Sequence, residues 1–234
     1  MGDYLAKRVA GFGTSVFTEM SRLAVQHGAV NLGQGFPDFA GPDFVKEAAI
    51  QAIRADLNQY AVSHGTPNLR RSIAGTWKRA YGREIDPETE VSVASGATEL
   101  ILDAILGLVN PGDEVIVFEP FYDSYLPDVL MAGGVPRFIT LEAPDWHFDR
   151  QRLARLFGPK TKLLLINTPH NPTGKMFSRE ELACIGSLCQ EHDVIVLTDE
   201  VYDQIRFNGV EHVPIATLPG MWERTLTVNS TGKT

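Results

Sequence analysis

The chain has 234 residues, of which 44% are apolar, and this is enough to build one large hydrophobic core. Its formal net charge of -8 disfavours nucleic acids and anionic membrane surfaces as partners, because both repel an acidic protein. No apolar run is long enough to cross a bilayer and the first residues lack the apolar core of a secretory signal, so we expect a cytoplasmic protein with no membrane partner.

The N-terminal part of the chain predicts helices that are separated by loops. Residues 1–30 carry apolar side chains at helical spacing, and residues 43–55 predict a second helix with Asp43 as its N-terminal cap. The Gly/Pro-rich residues 31–42 predict a loop, as do residues 58–68, and a further helix follows.

Short β-branched runs alternate with helical patterns from residue 91 onward. Six runs predict strands: "VSVAS" (91–95), "EVIVFE" (114–119), "VPRFITL" (135–141), "KLLLIN" (162–167), "VIVLTD" (194–199) and "TLTVNS" (225–230). One intervening helix opens with Ser178 and Glu181, a capping box. Several runs are apolar throughout, which is typical of strands buried on both faces. We therefore predict an α/β fold with a mostly parallel open sheet and helices on both faces.

Polar, aromatic or turn-forming residues follow five of the predicted strands. The segments are "SGAT", "EPFYDSY", "NTPHNPTG", "DEVY" and "NSTGK". Because ligands bind at the carboxyl ends of the strands in such sheets, we expect these segments to share one crevice. This crevice is the candidate functional site.

Lys233 follows the last predicted strand, in "VNSTGKT", and two kinds of chemistry could use it. A phosphate-binding P-loop needs a glycine where this chain has Thr227, and it needs a following helix. A lysine amine can instead form a Schiff base with an aldehyde cofactor, usually pyridoxal phosphate (PLP). That cofactor needs backbone N–H groups for its phosphate, a carboxylate for its ring nitrogen and an aromatic side chain beside its ring. The strand ends offer a candidate for each need, so we favour the PLP interpretation.

Seven segments resemble the class I/II aminotransferases of PLP fold type I, and they cover essentially the whole chain. They are "NLGQGFPDF", "NQY", "SGATEL", "EPFYDSY", "NTPHNPTGK", "TDEVYD" and "NSTGKT". The resemblance is strongest to the branch that contains kynurenine, methionine and glutamine aminotransferases and cysteine-conjugate β-lyases. "NPTG", Asp-x-x-Tyr and Ser-x-x-Lys in this order form a specific signal.

The resemblance implies a role for each residue around the cofactor. Lys233 would be the Schiff-base lysine and the catalytic proton carrier, and Asp199 would pair with the ring nitrogen. Tyr202 and Asn171 would contact the phenolic oxygen, and Tyr122 would stack on the ring. The residues implied in phosphate binding are Gly96, Ala97, Thr98 and Ser230.

Two N-terminal residues complete the implied site. Gly35 would contact the carboxylate side of the substrate, and Tyr60 would reach the phosphate site of a neighbouring subunit. The resemblance therefore implies a homodimer with a shared active site. We expect no metal site, and we interpret His170 as a loop residue because no partner lies at metal-ligand spacing.

The resemblance also implies a domain division and a longer parent protein. Residues 1–42 would form an N-terminal arm and a segment of a small domain, and residues 43–234 would form an incomplete PLP-binding large domain. The C-terminal part of the small domain, with an arginine that binds the substrate carboxylate, would be absent. We expect the 234 residues alone to be poorly soluble and inactive.

The implied function is a PLP-dependent transfer of an amino group from an L-amino acid to a 2-oxo acid, with ping-pong kinetics. One alternative is a carbon–sulfur β-lyase on the same scaffold, because the two activities share every motif above. Another is a non-catalytic aminotransferase-like module. The acidic charge and the absence of a basic helix-turn-helix pattern disfavour a nucleic-acid-binding module.

Overall fold

The computed structural model describes residues 4–35 and 37–233. The α-helices are α1 (Val16–His27), α2 (Asp43–Arg54), α3 (Pro67–Tyr81), α4 (Ala97–Leu108), α5 (Tyr125–Met131), α6 (Arg150–Ala154) and α7 (Arg179–Glu191). The strands are β1 (Glu114–Glu119), β2 (Val135–Thr140), β3 (Thr161–Asn167), β4 (Ile195–Asp199) and β5 (Thr225–Val228). Short 3₁₀ turns span Ile215–Thr217 and Trp222–Arg224. Within the described ranges, no helix combines the length and apolarity that crossing a membrane requires.

The five strands form one parallel sheet in the order β2-β1-β3-β4-β5, which confirms the predicted sheet. In its register, Asp199 at the end of β4 lies beside Asn167 of β3 and Val228 of β5. The ends of these three strands are therefore level, and the segments that follow them begin at one edge of the sheet.

Helices cover both faces of the sheet, as predicted. Alternate side chains of β1 show the two faces: Phe118 packs in a cluster with Leu182 of α7, and Val117 packs in a second cluster with Ile105 of α4. Because strand side chains alternate between faces, burial on both sides explains why these runs are apolar throughout.

The capping predictions differ in their outcome. The capping box is confirmed, because the Glu181 N–H donates to Ser178 Oγ and the Ser178 N–H donates to Glu181 Oε2. The cap assigned to Asp43 is wrong, because α2 begins at Asp43 and Pro42 precedes it without a side-chain cap. The Asp43 carboxylate instead pairs with Lys46 at 2.5 Å, since both lie in the first turn of α2.

Two other predicted elements need correction. The strand expected at residues 91–95 is absent from the described sheet; Val93 N–H donates to the carbonyl of His64 at 3.1 Å, and no described strand pairs with the segment. Valine favours an extended backbone but cannot form a strand without a ladder partner. Only part of residues 1–30 is helical, because α1 begins after Ser15, whose hydroxyl caps it.

The helices of the N-terminal region pack differently from those on the sheet. In the described structure, α1 and α2 bury none of their side chains, and Phe44 of α2 is 77% exposed. The apolar spacing that predicts these helices therefore does not produce a packed core here. The division into domains at residues 42 and 43 stays a prediction.

Candidate active site

The carboxyl ends of the strands and the start of α4 surround a cavity of about 150 Å³. Its lining consists of Ala97, Thr98, Ile101, Tyr122, Tyr125, Asn167, Asn171, Asp199, Val201, Tyr202, Ser230 and Lys233. A larger and more open concavity of about 420 Å³ lies beside Lys7 and Arg8, and the described residues around it supply no carboxylate or hydroxyl side chain. The reactive side chains therefore converge on the smaller cavity.

Asp199, the last residue of β4, is a buried carboxylate that is 5% exposed. The Tyr125 hydroxyl donates to Oδ2 at 2.6 Å, and the Val201 N–H donates to Oδ1 at 3.2 Å. Burial raises the pKa of Asp199, whereas these two hydrogen bonds and the charge of Lys233 act to lower it. The carboxylate is thus held in one orientation at the cavity wall, where a cationic N–H group would stabilise it.

Asn167 ties the loop that carries Asn171 to the end of β4. Its Oδ1 accepts from the Asn171 N–H at 2.7 Å, and its Nδ2 donates to the Asp199 carbonyl at 2.8 Å. The Thr168 N–H donates to the same carbonyl at 3.0 Å. Asn167 is buried, so its amide can satisfy these backbone groups without competition from water. Asn171 and Asp199 are therefore fixed relative to each other.

Tyr202 and Lys233 lie together on another side of the cavity. The Lys233 Nζ is 5.6 Å from the centroid of the Tyr202 ring. Burial, followed by the charge of Asp199, raises the pKa of Tyr202, and a hydrogen bond with the Asn171 side chain opposes this. Lys233 itself is exposed. Tyr202, Asn171 and Asp199 therefore lie next to one another. The amine of Lys233 approaches them from the exposed side of the cavity.

The start of α4 supplies backbone N–H groups to the cavity. Gly96 precedes the helix at φ 99°, a left-handed conformation that favours glycine, and Ala97 and Thr98 line the cavity in the first turn. N–H groups of a first helical turn have no intrahelical acceptor and can bind a phosphate. Ser230 enters from the opposite segment, and its Oγ accepts from the Gly232 N–H at 3.0 Å.

Tyr122 forms the aromatic wall of the cavity. Its ring is half-buried and packs edge-on against Tyr125, with ring centroids 5.7 Å apart. Phe17 of α1 also lies beside the Tyr122 ring, with ring centroids 6.3 Å apart. This edge-on packing fixes the plane of the Tyr122 ring, as a stacking role requires.

The model for the family described as "Aminotransferase class I and II" matches residues 27–234. This chain belongs to that family. Kynurenine–oxoglutarate transaminase 3 of Mus musculus is 47% identical over 98% of the chain, and kynurenine–oxoglutarate transaminase 1 of Homo sapiens is 46% identical over 98%. The chain spans 53% and 57% of these relatives, or about half of their length.

Solved structures of aminotransferases share the fold of this chain. N-succinyldiaminopimelate aminotransferase from Mycobacterium tuberculosis matches with a TM-score of 0.94 and 47% identity, covering 98% of this chain and 60% of that one. YbdL from Escherichia coli, described with a methionine aminotransferase function, matches with a TM-score of 0.95 and 38% identity, covering 99% and 61%. Members of the family generally depend on PLP. The PLP fold type I sheet is thus confirmed.

The cavity contains most, but not all, of the residues implied by the family resemblance. Gly35 and Tyr60 are exposed and, among the described residues, neither lines the cavity, so their roles stay predictions. Four lining residues received no role from the sequence: Ile101, Tyr125, Asn167 and Val201. Asn167 ends an apolar strand and Tyr125 is the last aromatic residue of "EPFYDSY", so both carried a positional signal.

His170 lies in a loop, as predicted, but its side chain has a structural role there. It is buried, and its Nδ1 lies 2.8 Å from the Thr173 hydroxyl. Burial, followed by the charge of Lys175, lowers the pKa of His170 to about 4, so the ring is neutral near pH 7. It therefore braces the loop that carries Asn171 and carries no charge there.

A second buried acid lies next to the site. The Glu200 Oε2 is 2.7 Å from His212 Nε2, and the Thr198 hydroxyl donates to Oε1 at 3.0 Å. Burial raises the pKa of Glu200, and the hydrogen bond with His212 opposes this. The Glu200–His212 contact thus holds the turn between Asp199 and Tyr202 in place.

Proposed function

We propose that the protein carrying this chain is a PLP-dependent aminotransferase that moves an amino group from an L-amino acid to a 2-oxo acid. The observation that carries this proposal is the convergence of Lys233, Asp199, Tyr202 and Asn171 on one cavity at the strand ends. Membership of the aminotransferase family supports it.

The side chains around the cavity fit the chemistry of the cofactor. Asp199 is buried and accepts hydrogen bonds, so it suits a protonated ring nitrogen. Tyr202 and Asn171 supply donors for a phenolic oxygen, and the first turn of α4 with Ser230 suits a phosphate. When bound, pyridoxal phosphate supplies an aldehyde that condenses with amines and a ring that draws electrons from the substrate.

Each residue then has a defined task in the transfer. Lys233 takes the proton from the substrate Cα and returns it during the transfer, because its amine is the basic group that projects into the cavity from solvent. Asp199 would pair with the ring nitrogen of the cofactor, Tyr122 would pack on the ring, and Asn171 would bond its phenolic oxygen.

The substrates are proposed only as classes. The relatives are named for kynurenine with oxoglutarate, and the structural neighbours for N-succinyldiaminopimelate and methionine. These names differ among proteins that match the same chain, so none is transferred to it. We propose L-amino acid donors and 2-oxo acid acceptors, a cytoplasmic homodimer, and a site completed by Tyr60 of the second copy.

The decisive experiment is borohydride reduction of the full-length protein with pyridoxal phosphate, followed by peptide mapping. We expect a pyridoxyl group on Lys233 and initial rates that give parallel double-reciprocal lines. A tag on another lysine, or no tag, contradicts the proposal. Pyruvate and ammonia released from a cysteine conjugate without an oxo acid would instead establish the β-lyase. An absorbance band that does not respond to any amino acid would favour a non-catalytic module.

A further inference from the structure

We propose that Tyr125 is a positioning residue that holds the Asp199 carboxylate in its orientation and in its charged form for the cofactor ring nitrogen. This inference rests on the proposed function, because it assigns a task within the same site. Neither the family resemblance nor the motif pattern gives Tyr125 a role.

The contact joins two buried groups from distant parts of the chain. Tyr125 begins α5 and is 1% exposed, and its hydroxyl lies 2.6 Å from Asp199 Oδ2 at the end of β4. A buried phenol and a buried carboxylate each lose their water on folding, so each needs the other as a hydrogen-bond partner. A bond this short to a carboxylate is of the strong, charge-assisted kind.

The Tyr125 hydroxyl remains the donor of this hydrogen bond near neutral pH. Burial, followed by the negative charge of Asp199, raises the pKa of Tyr125 well above 10, so the hydroxyl remains a donor. Burial raises the pKa of Asp199, and the Tyr125 hydrogen bond is the largest influence that lowers it. Loss of the hydroxyl would therefore favour the protonated, uncharged acid.

The other groups that face Asp199 cannot replace this donor. The Val201 N–H bonds the opposite oxygen at 3.2 Å. Tyr202 also faces this carboxylate, whose charge raises the pKa of Tyr202, but the Tyr202 hydroxyl bonds the Asn171 side chain. Lys233 is exposed and reacts in the proposed function, so its charge is not a constant feature of the site. Tyr125 is thus the side chain whose support of Asp199 persists through the reaction.

The test compares Tyr125→Phe with a matched variant, Tyr81→Phe, in the full-length protein. Tyr81 also bonds a carboxylate, Asp203, and burial followed by the charge of Asp203 raises its pKa to about 12, but it does not line the cavity. Both variants remove one hydroxyl and keep the ring. Thermal unfolding of the two apoproteins reports whether each variant is folded.

Two probes separate an effect on the ring nitrogen from an effect on packing. One is pyridoxal phosphate, and the other is its analogue in which carbon replaces the ring nitrogen. We expect Tyr125→Phe to weaken the binding of pyridoxal phosphate about tenfold, and the loss should grow as the pH falls. The affinity for the analogue should change less than about twofold. Tyr81→Phe should change neither. Equal weakening of both ligands by Tyr125→Phe, or weakening of neither, overturns the proposal.

A measurement on the apoprotein makes the inference independent of cofactor binding. The infrared carboxyl band of Asp199, identified by its loss in Asp199→Asn, should appear at a higher pH in Tyr125→Phe than in the wild type. If the wild type fails to bind pyridoxal phosphate at Lys233 but this shift is seen, the proposed function fails, and only the part of the inference in which Tyr125 keeps Asp199 charged stands. If Tyr125→Phe does not fold, Tyr125→3-fluorotyrosine, a stronger donor, should move the band to lower pH, and an unmoved band overturns the proposal.

Discussion

The sheet buries its apolar side chains, whereas the N-terminal helices leave many of theirs exposed. Leu163, Leu164 and Leu165 of β3 are almost completely buried, whereas Phe44 of α2 is 77% exposed and α1 buries no side chain in the described structure. A strand between two layers of helices is covered by its own chain. An amphipathic helix is covered only if another element reaches its apolar face.

This difference extends to the site. The side chains on the sheet edge, such as Asp199 and Asn171, are held by buried hydrogen bonds within the chain. Gly35 and Tyr60 belong to the exposed region, and no described contact brings them to the cavity. The core of the sheet therefore holds the Asp199 and Asn171 side of the cavity by contacts within the chain. Four variants test this difference between the two regions.

The largest effect is expected from Lys233→Ala. Removing the reactive amine should lower kcat of the full-length protein by about 10³-fold or more, because no other lysine lines the described cavity. The free energy of unfolding should change by less than about 0.5 kcal/mol, since the side chain is exposed. Lys160→Ala, an exposed lysine far along the chain, is the matched control for activity. Transamination above a tenth of the wild-type rate would exclude Lys233 as the catalytic lysine.

His212→Ala should cause the next largest change, this time in stability. It leaves the buried Glu200 side chain without its 2.7 Å hydrogen-bond partner, and leaving a buried polar group unsatisfied costs up to about 3 kcal/mol. Urea unfolding at pH 7 measures this cost. The double variant Glu200→Gln/His212→Ala should recover part of the loss, because no buried acid is left without a partner. A cost below about 1 kcal/mol for the single variant would show that Glu200 does not depend on His212.

Asp128→Asn should stabilise the folded chain at alkaline pH. Asp128 is buried in α5, and burial raises its pKa from 3.8 to about 7. Between pH 3.8 and about pH 7, the Asp128 carboxyl keeps its proton in the folded state and has lost it in the unfolded state. Its contribution to the free energy of unfolding therefore falls as the pH rises towards 7, and it is constant above that pH. We expect the variant to be more stable than the wild type by about 1–3 kcal/mol above pH 7, with the gain vanishing near pH 4.

Urea unfolding across this pH range checks the prediction for Asp128. A gain that is the same at every pH would assign the effect to packing and not to the carboxyl group. A gain that grows as the pH falls would contradict the upward shift of the Asp128 pKa, and with it the effect of burying this carboxyl group in α5.

The smallest effect is expected from Phe44→Ala. Because the ring is exposed, the free energy of unfolding of this chain should change by less than about 0.5 kcal/mol. Phe118→Ala is the matched change in the sheet, where the ring is 2% exposed, and it should cost about 3–5 kcal/mol. A cost above about 1 kcal/mol for Phe44→Ala would mean that another surface covers α2 in solution, and the contrast between the two regions would then disappear.

The sequence predicts most strands and the strand-end segments around the cavity because local patterns determine both, whereas the role of each residue there is implied by the family resemblance. The limits of β1 agree with its apolar run, and Asp199 and Asn171 follow strands whose ends are level. Residues 91–95 show the limit of this approach, because a strand depends on a partner that the segment itself does not specify. The Tyr125–Asp199 contact joins residues 74 positions apart, so no local pattern contains it. The short helix α6 lacks a periodic apolar face long enough to detect.

The strand order also sets a sequence of events during synthesis on the ribosome. β3, β4 and β5 join the same growing edge of the sheet in the order in which they are translated. A nascent chain can therefore bring Asp199 together with Tyr125 and Asn167 before β5 emerges. Lys233 follows β5, so its amine emerges after the segments that carry Asp199 and its hydrogen-bond partners.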